Sequence, residues 1–201
     1  MAHCSTEASA WVSRFAPRIP SGLVLDLACG GGRHARLLAA LGHHVLAVDR
    51  DAEVISALHG EGIQTRQFDL EQPDAVHQAD WPLKPSSYSG VVVTNYLHRP
   101  LMASLLASVA AGGVLIYETF AQGNGQFGKP ANPDFLLAPG ELAKLVLDFG
   151  GWHVIAFEDG YVGTPKPAMI QRICARRAGP DSHPDSNPDA RLKIAPNDVA
   201  L

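Results

Sequence analysis

The chain has 201 residues, 46% of them hydrophobic and 18% charged, which is enough apolar material for one globular domain and excludes a disordered chain. Its 16 Lys and Arg against 20 Asp and Glu give a formal net charge of -4 with no basic run, which disfavours nucleic acid as the main partner. Three cysteines, Cys4, Cys29 and Cys174, form no CxxC pair, so neither a disulfide scaffold nor a zinc site is expected, and a reduced, cytoplasmic setting fits.

Along the chain, the opening residues show no basic region followed by an apolar run, so no secretory signal is expected. Trp11, Val12 and Phe15 recur at helical spacing and predict a helical segment within residues 1–20. That helix either packs into the core or closes over a ligand, bringing Arg14 with it. LVLDL is a short buried strand, followed by a glycine turn and a helix over 33–41 that Gly42 stops. HVLAVD, 44–49, is the second strand; Asp51 caps a helix reaching Leu58, and 63–69 form the third strand. VVVTNY, 91–96, reads as a buried parallel strand. Pro100 opens a helix that Gly112-Gly113 close, and VLIYETF, 114–120, is the fifth strand. The same glycine pair divides the 18 uncharged residues from Pro100 to Tyr117, so no membrane span is expected there.

Residues 121–138 are rich in Gly, Pro and Asn and predict a loop that serves as a substrate lid. A helix over 141–149 and two strands, HVIAFED and AMIQRICAR, complete a single domain over 1–177. Residues 178–201, with four Asp, four Pro and little apolar pattern, predict a flexible tail that carries half of the net charge. Strand and helix alternate at βαβ spacing, so the fold class is α/β: a Rossmann-like, doubly wound, mostly parallel sheet with its ligand crevice at the carboxyl ends of the strands.

DLACGGG puts Asp26 at the first strand end and small residues, Ala28, Gly30 and Gly32, where backbone passes close to a ligand. Gly30, Gly32 and Ala35 also match a dinucleotide fingerprint, with Asp49 lying 17 residues beyond Gly32, so an NAD-dependent oxidoreductase is an alternative. Asp26 separates the two: a carboxylate repels a pyrophosphate and attracts the cationic sulfonium amino acid of S-adenosylmethionine. Asp49, ending strand two, suits the ribose hydroxyls, and Asp69 suits the exocyclic amine of adenine. Each acid also has a purely structural role open to it, as a cap for the turn that follows. Cys29 reads as a small filler of the turn and His43-His44 as a surface junction, not a metal site.

VLDLACGGGRHA, AVDRD, FDLE, VVVTNYLHRP and GGVLIYETF, in this order, resemble the class I S-adenosylmethionine-dependent methyltransferases. More loosely, NYLHRP and the Glu-Asp before the last strand resemble the small bacterial enzymes related to tellurite-resistance methyltransferases. The resemblance implies seven strands with the last antiparallel, S-adenosylmethionine as cofactor and a small-molecule substrate. The family commonly has Gly where this chain has Ala28. Asn95 and Tyr96, at the fourth strand end, are expected beside the cofactor's methionine, and no Pro pair follows Asn95 as in enzymes that methylate nucleobase amines. His98 is the candidate general base, with Tyr96 the second catalytic candidate; a helix-cap role is equally open to His98. Arg14 and Arg99 are expected at the cofactor carboxylate or an anionic substrate, and Glu118, Phe120, Phe127, Lys129, Asn132 and Phe135 at the substrate. A cofactor-binding protein without catalysis is a further alternative.

Overall fold

The computed structural model describes residues 7–179; the expected flexible tail lies outside the described residues from 180 onward, as does Cys4. Seven strands form one sheet in the order β3-β2-β1-β4-β5-β7-β6. They are β1 (Leu23–Leu27), β2 (His44–Asp49), β3 (Ile63–Gln67), β4 (Tyr88–Thr94), β5 (Val109–Phe120), β6 (Trp152–Val162) and β7 (Ala168–Arg177). The first five pair in parallel, while β7 runs antiparallel to both β5 and β6. The α/β fold class expected from the element order is the one observed, with the antiparallel strand where the resemblance puts it.

Because successive side chains of a strand face opposite sides, each apolar strand feeds two cores. Leu25, Leu27, Leu46, Val48, Val91, Val93, Leu115 and Tyr117 share one face with α4 (Met102–Ser108) and α5 (Glu141–Phe149). Val24, Val45, Ala47, Val92 and Ile116 share the other with α1 (Ala10–Phe15), α2 (Arg33–Ala40) and α3 (Ala52–Ala57). Trp11, Val12 and Phe15 are buried in that second core, so the aromatic stripe of α1 is a packing face.

Four boundaries differ from the sequence reading, each for a tertiary reason. Strand β3 stops at Gln67, because Phe68 N–H turns to donate to the Asp49 carbonyl, and Asp69 lies past the strand end. Strand β4 ends at Thr94, and Asn95 takes a left-handed φ of 56°, which turns the chain away from the sheet. Helix α4 ends at Ser108 and β5 begins at Val109, so Gly112-Gly113 lie inside a strand with an irregular register against β4. The guanidinium of Arg177 from β7 binds the carbonyls of Ala107 and Val109 and closes the helix there. Strands β6 and β7 extend to Val162 and Ala168 as one long hairpin, since each supplies the other's ladder bonds.

The 121–138 loop is pinned rather than loose. Its ends meet at an Ala121–Leu137 bridge, with Leu137 N–H donating to Phe120 O and Gln122 N–H to Leu137 O. Inside, the buried Asn124 amide donates to Pro130 O and accepts from Met169 N–H on β7. Its ends are close and its interior is held by its own side chain, the organisation of an Ω-loop.

Candidate active site

The carboxyl ends of β1, β2, β4 and β5 surround a cavity of about 430 Å³. Three walls can be distinguished. Ala28 and Asp49-Arg50 come from the ends of β1 and β2, and Phe68 to Glu71 follow β3. Asn95, Tyr96 and Leu97 follow β4, and Thr119 and Phe120 end β5. Pro130 and Phe135 reach in from the 121–138 loop.

The glycine turn needs its unusual residues. Ala28, Gly30 and Gly32 all have positive φ, of 54°, 50° and 72°. A Cβ on Gly32 would come within 2.4 Å of Leu58, whereas one on Gly30 or Gly31 would meet nothing within 4 Å. The turn is closed at Gly32 by packing and open at Gly30 and Gly31, leaving room beside the backbone. Gly30 N–H donates to Asp49 Oδ2 at 2.8 Å, so the second strand's acid holds the turn in place. Ala28 bears the strain that the family's usual glycine avoids, and Ala28→Gly is expected to raise stability by about 0.5–1 kcal/mol, after the entropy glycine adds to the unfolded chain. Thermal unfolding should rise by roughly 1 to 4 °C for a domain of this size.

Asp26 shares its sheet face with Val24 and points at the start of α2, where an apolar residue would pack more simply. It is 1% exposed, and its Oδ2 has no hydrogen-bond partner. Burial pushes its carboxyl up to about 7; the Ala35 N–H and the nearby Arg33 cation pull the other way, and Asp49 adds to the rise. Buried polar atoms are nearly always paired, so this oxygen stands out beside the turn. Cys29 beside it is held as a thiol by burial and by the Asp26 and Asp49 charges, which leaves it no nucleophilic role.

His34 was not singled out in the sequence, yet it joins three elements. Its ring is 1% exposed, with Nε2 accepting from Ser9 N–H at 3.1 Å and Nδ1 3.4 Å from Thr94 Oγ1. An accepting Nε2 places the ring proton on Nδ1, facing Thr94, and burial lowers its pKa to about 4, so the ring is neutral. Ser9 Oγ donates to Glu118 Oε1 at 2.8 Å, and Glu118 pairs with Arg172, which also binds Glu158 and stacks over Trp11. Through this chain the start of α1 is tied across the ends of β4 and β5. Only the tertiary fold brings these residues together, and nothing in local sequence periodicity marks them.

Of the residues anticipated from sequence, Ala28, Asp49, Asp69, Asn95, Tyr96, Phe120 and Phe135 line the cavity, whereas Asp26, Gly30 and Gly32 lie outside its lining, in the strand end and turn on either side of Ala28. Asp49 also accepts from Asp51 N–H, and Asp69 accepts from Glu71 N–H at 3.0 Å, so both acids shape their turns as well as facing the cavity. Tyr96 buries its hydroxyl beside Glu71, and burial together with the Glu71 and Asp69 charges keeps the phenol un-ionised. Its hydroxyl therefore looks toward the turn after β3.

The remaining candidates do not line the cavity. Arg14 stacks over the Phe15 ring, and His98 offers its carbonyl to Leu101 N–H. Glu118 is engaged by Ser9 and Arg172. Phe127 packs against Tyr161 with ring centroids 5.1 Å apart, and Lys129 is exposed. Arg99 makes two bonds to Glu141, at 2.6 and 2.9 Å, and two more to the carbonyls of Asp134 and Leu136. Arg50, Phe68, Leu70, Glu71, Leu97, Thr119 and Pro130 were missed as lining residues; each adjoins or lies near a residue that was anticipated, and adjacency to a strand end is the signal that could have found most of them. Among the described residues no cluster of His, Cys, Asp and Glu could hold a metal ion, and no helix is long and apolar enough to cross a membrane.

Residues 24–112 match the family model of the methyltransferase domain. Over 99 residues the chain is 30% identical to the protein-L-isoaspartate O-methyltransferase of Chlorobaculum tepidum, a match covering 49% of this chain and 45% of that protein. The matched region thus spans about half the length of this curated relative. Among solved structures, TehB from Haemophilus influenzae superposes with a TM-score of 0.67 at 20% identity, covering 86% of this chain and 63% of that one. An S-adenosylmethionine-dependent methyltransferase from Mesorhizobium loti gives 0.63 at 15% identity, covering 83% and 96%. At these identities the structural likeness is one of fold. By its family model residues 24–112 are a methyltransferase domain, and the fold built around it is the one these S-adenosylmethionine-dependent methyltransferases share.

Proposed function

We propose that the protein transfers a methyl group from S-adenosylmethionine to a small-molecule acceptor by in-line displacement. The observation that carries this reading is the buried, partnerless Asp26 oxygen below a glycine turn with open space beside it. A cationic amino acid fits there, and the phosphates of a dinucleotide do not. When bound, the cofactor supplies an electrophilic methyl on a sulfonium, with the thioether as leaving group.

The chain's own residues bind and orient. Asp26 faces the ammonium end, and the Gly30-Gly31 backbone leaves space for close approach. Asp49 presents its remaining lone pairs to the ribose, and Asp69 accepts from the adenine amine, with Phe68 and Leu70 flanking the base. Asn95, at the left-handed turn after β4, faces the reacting end. Phe120, Pro130 and Phe135 narrow the cavity on the far side and exclude water, so alignment rather than proton transfer is the main contribution. A small acceptor is supported by the size of the cavity, about 430 Å³, which has to hold both reactants.

The test is a thermal shift. S-adenosylhomocysteine at a hundred times its dissociation constant stabilises a protein by about 2.7 kcal/mol, which for this size raises the melting temperature by roughly 5 to 10 °C. A shift with NAD and none with S-adenosylhomocysteine replaces this reading with the oxidoreductase one. Saturable binding without label transfer from methyl-labelled cofactor to any acceptor in a metabolite pool replaces it with a binding protein.

A further inference from the structure

Among the described residues, every charged side chain that lines the cavity lies on one half of it. Asp49 ends β2 with Arg50 after it, and Asp69 and Glu71 follow β3; Asp49 and Asp69 are the acids that the adenosine assignment uses. The other half, formed after β4, on β5 and by the 121–138 loop, is lined by Leu97, Thr119, Phe120, Pro130 and Phe135, together with the Asn95-Tyr96 turn. Among the described residues that line it, none is ionised.

The cations in this region are directed elsewhere. Arg99 was expected to meet an anionic substrate, but its guanidinium is neutralised by Glu141 and holds the carbonyls on either side of Phe135, at 2.7 Å to Asp134 O and 2.9 Å to Leu136 O. Glu141 completes the clamp by accepting from Ala138 N–H at 2.7 Å. The loop around Phe135 is therefore anchored on both flanks to a residue that directly follows the β4 wall. An anion in this half would lie against aromatic and aliphatic carbon without a counter-charge, which is strongly unfavourable.

We propose that the methyl acceptor is an uncharged molecule with a flat apolar face, bound against Phe120 and Phe135, and that Arg99 is the positioning residue holding Phe135 in the cavity wall. The assignment rests on the cofactor reading, which places adenosine in the charged half. It deepens that reading by naming the acceptor class and excluding oxyanions and carboxylates.

The test uses the full chain saturated with S-adenosylhomocysteine and three probes of one shape: 2-naphthol, 2-naphthoate and 2-naphthylmethylammonium, titrated at neutral pH and followed by naphthalene fluorescence. The neutral probe should bind at least tenfold more tightly than either ion. Phe135→Ala, at a half-exposed position whose loss leaves the core intact, should weaken naphthol at least fivefold and leave S-adenosylhomocysteine affinity within twofold. Arg99→Ala should weaken naphthol similarly, Arg99→Lys should not restore it, and the double variant should be no worse than Phe135→Ala alone, because both act through one ring.

A purely structural Arg99 lowers the melting temperature without moving the naphthol affinity, and that result removes its positioning role. Tighter binding of either ion, no binding of any probe, or an unaffected Phe135→Ala variant overturns the acceptor assignment while cofactor binding stands. A chain that does not bind S-adenosylhomocysteine loses both readings together.

Discussion

Replacing Asp49 by Ala is expected to lower S-adenosylhomocysteine affinity by at least a hundredfold. Each Asp49 oxygen already accepts one backbone N–H, from Gly30 at 2.8 Å and from Asp51 at 3.0 Å. These bonds set the carboxylate's orientation and leave each oxygen a further lone pair. Two charge-assisted bonds to ribose hydroxyls would be lost, each contributing about 1.5–3 kcal/mol. Their sum corresponds to at least two powers of ten in affinity. The variant also releases the glycine turn, since Gly30 N–H loses its acceptor. Asp49→Asn, which keeps one acceptor and loses the charge, should fall between the two. Isothermal titration across the three proteins provides the check, and wild-type affinity in the Ala variant would mean that Asp49 serves the turn alone.

The second large effect is a pH dependence centred on Asp26. Its folded pKa of about 7 lies above the ordinary 3.8, so from about pH 4 to pH 7 the native chain holds a proton that the unfolded chain has released. Stability from this group therefore falls as pH rises through that window and is level above it, a loss on the order of 4 kcal/mol. His34 acts in the opposite direction: with its folded pKa lowered to about 4 from 6.5, it adds stability as pH rises between those values. The two largely offset in the wild-type profile, so the difference between wild type and Asp26→Asn is the informative curve. That variant should be the more stable protein at pH 8 and gain nothing at pH 4.

Its cofactor affinity should show the reverse. An ammonium placed at Asp26 favours the carboxylate, so binding to the wild type releases a proton and tightens as pH rises from 6 to 8. Asp26→Asn should bind at least tenfold more weakly at pH 8 and lose this dependence. Titration calorimetry in buffers of different ionisation enthalpy measures the proton directly. Unchanged affinity in Asp26→Asn would place the cofactor's cation elsewhere. A variant that is more stable and binds less well is the outcome expected where a fold holds a buried carboxylate with one oxygen unpaired for function.

The acids and glycines at the strand ends were legible because their signals are local. Asp26, Asp49 and Asp69 end or follow short apolar strands, and a positive-φ turn before a helix is announced by its glycines. The boundaries were less legible: the Gly112-Gly113 pair reads as a helix stop, but the stop is made by Arg177 binding carbonyls from across the sheet. The polar networks outside the cavity were least legible. His34 meets Ser9 from 25 residues away, Ser9 meets Glu118 from 109, and Arg99 meets Glu141 from 42. Candidate roles drawn from chain neighbourhood put Arg99 and Glu118 at the substrate, whereas their partners in space are other charged side chains.

By itself the sequence determined the α/β order, the parallel sheet, the glycine turn and the three acids at or just past the strand ends. Each follows from the periodicity or turn chemistry of a few adjacent residues. Only the tertiary structure decided which charged groups face the cavity and which are bound within the protein. A guanidinium or carboxylate is directed by whatever counter-charge the fold brings within about 3 Å, and that neighbour is set by packing across the sheet.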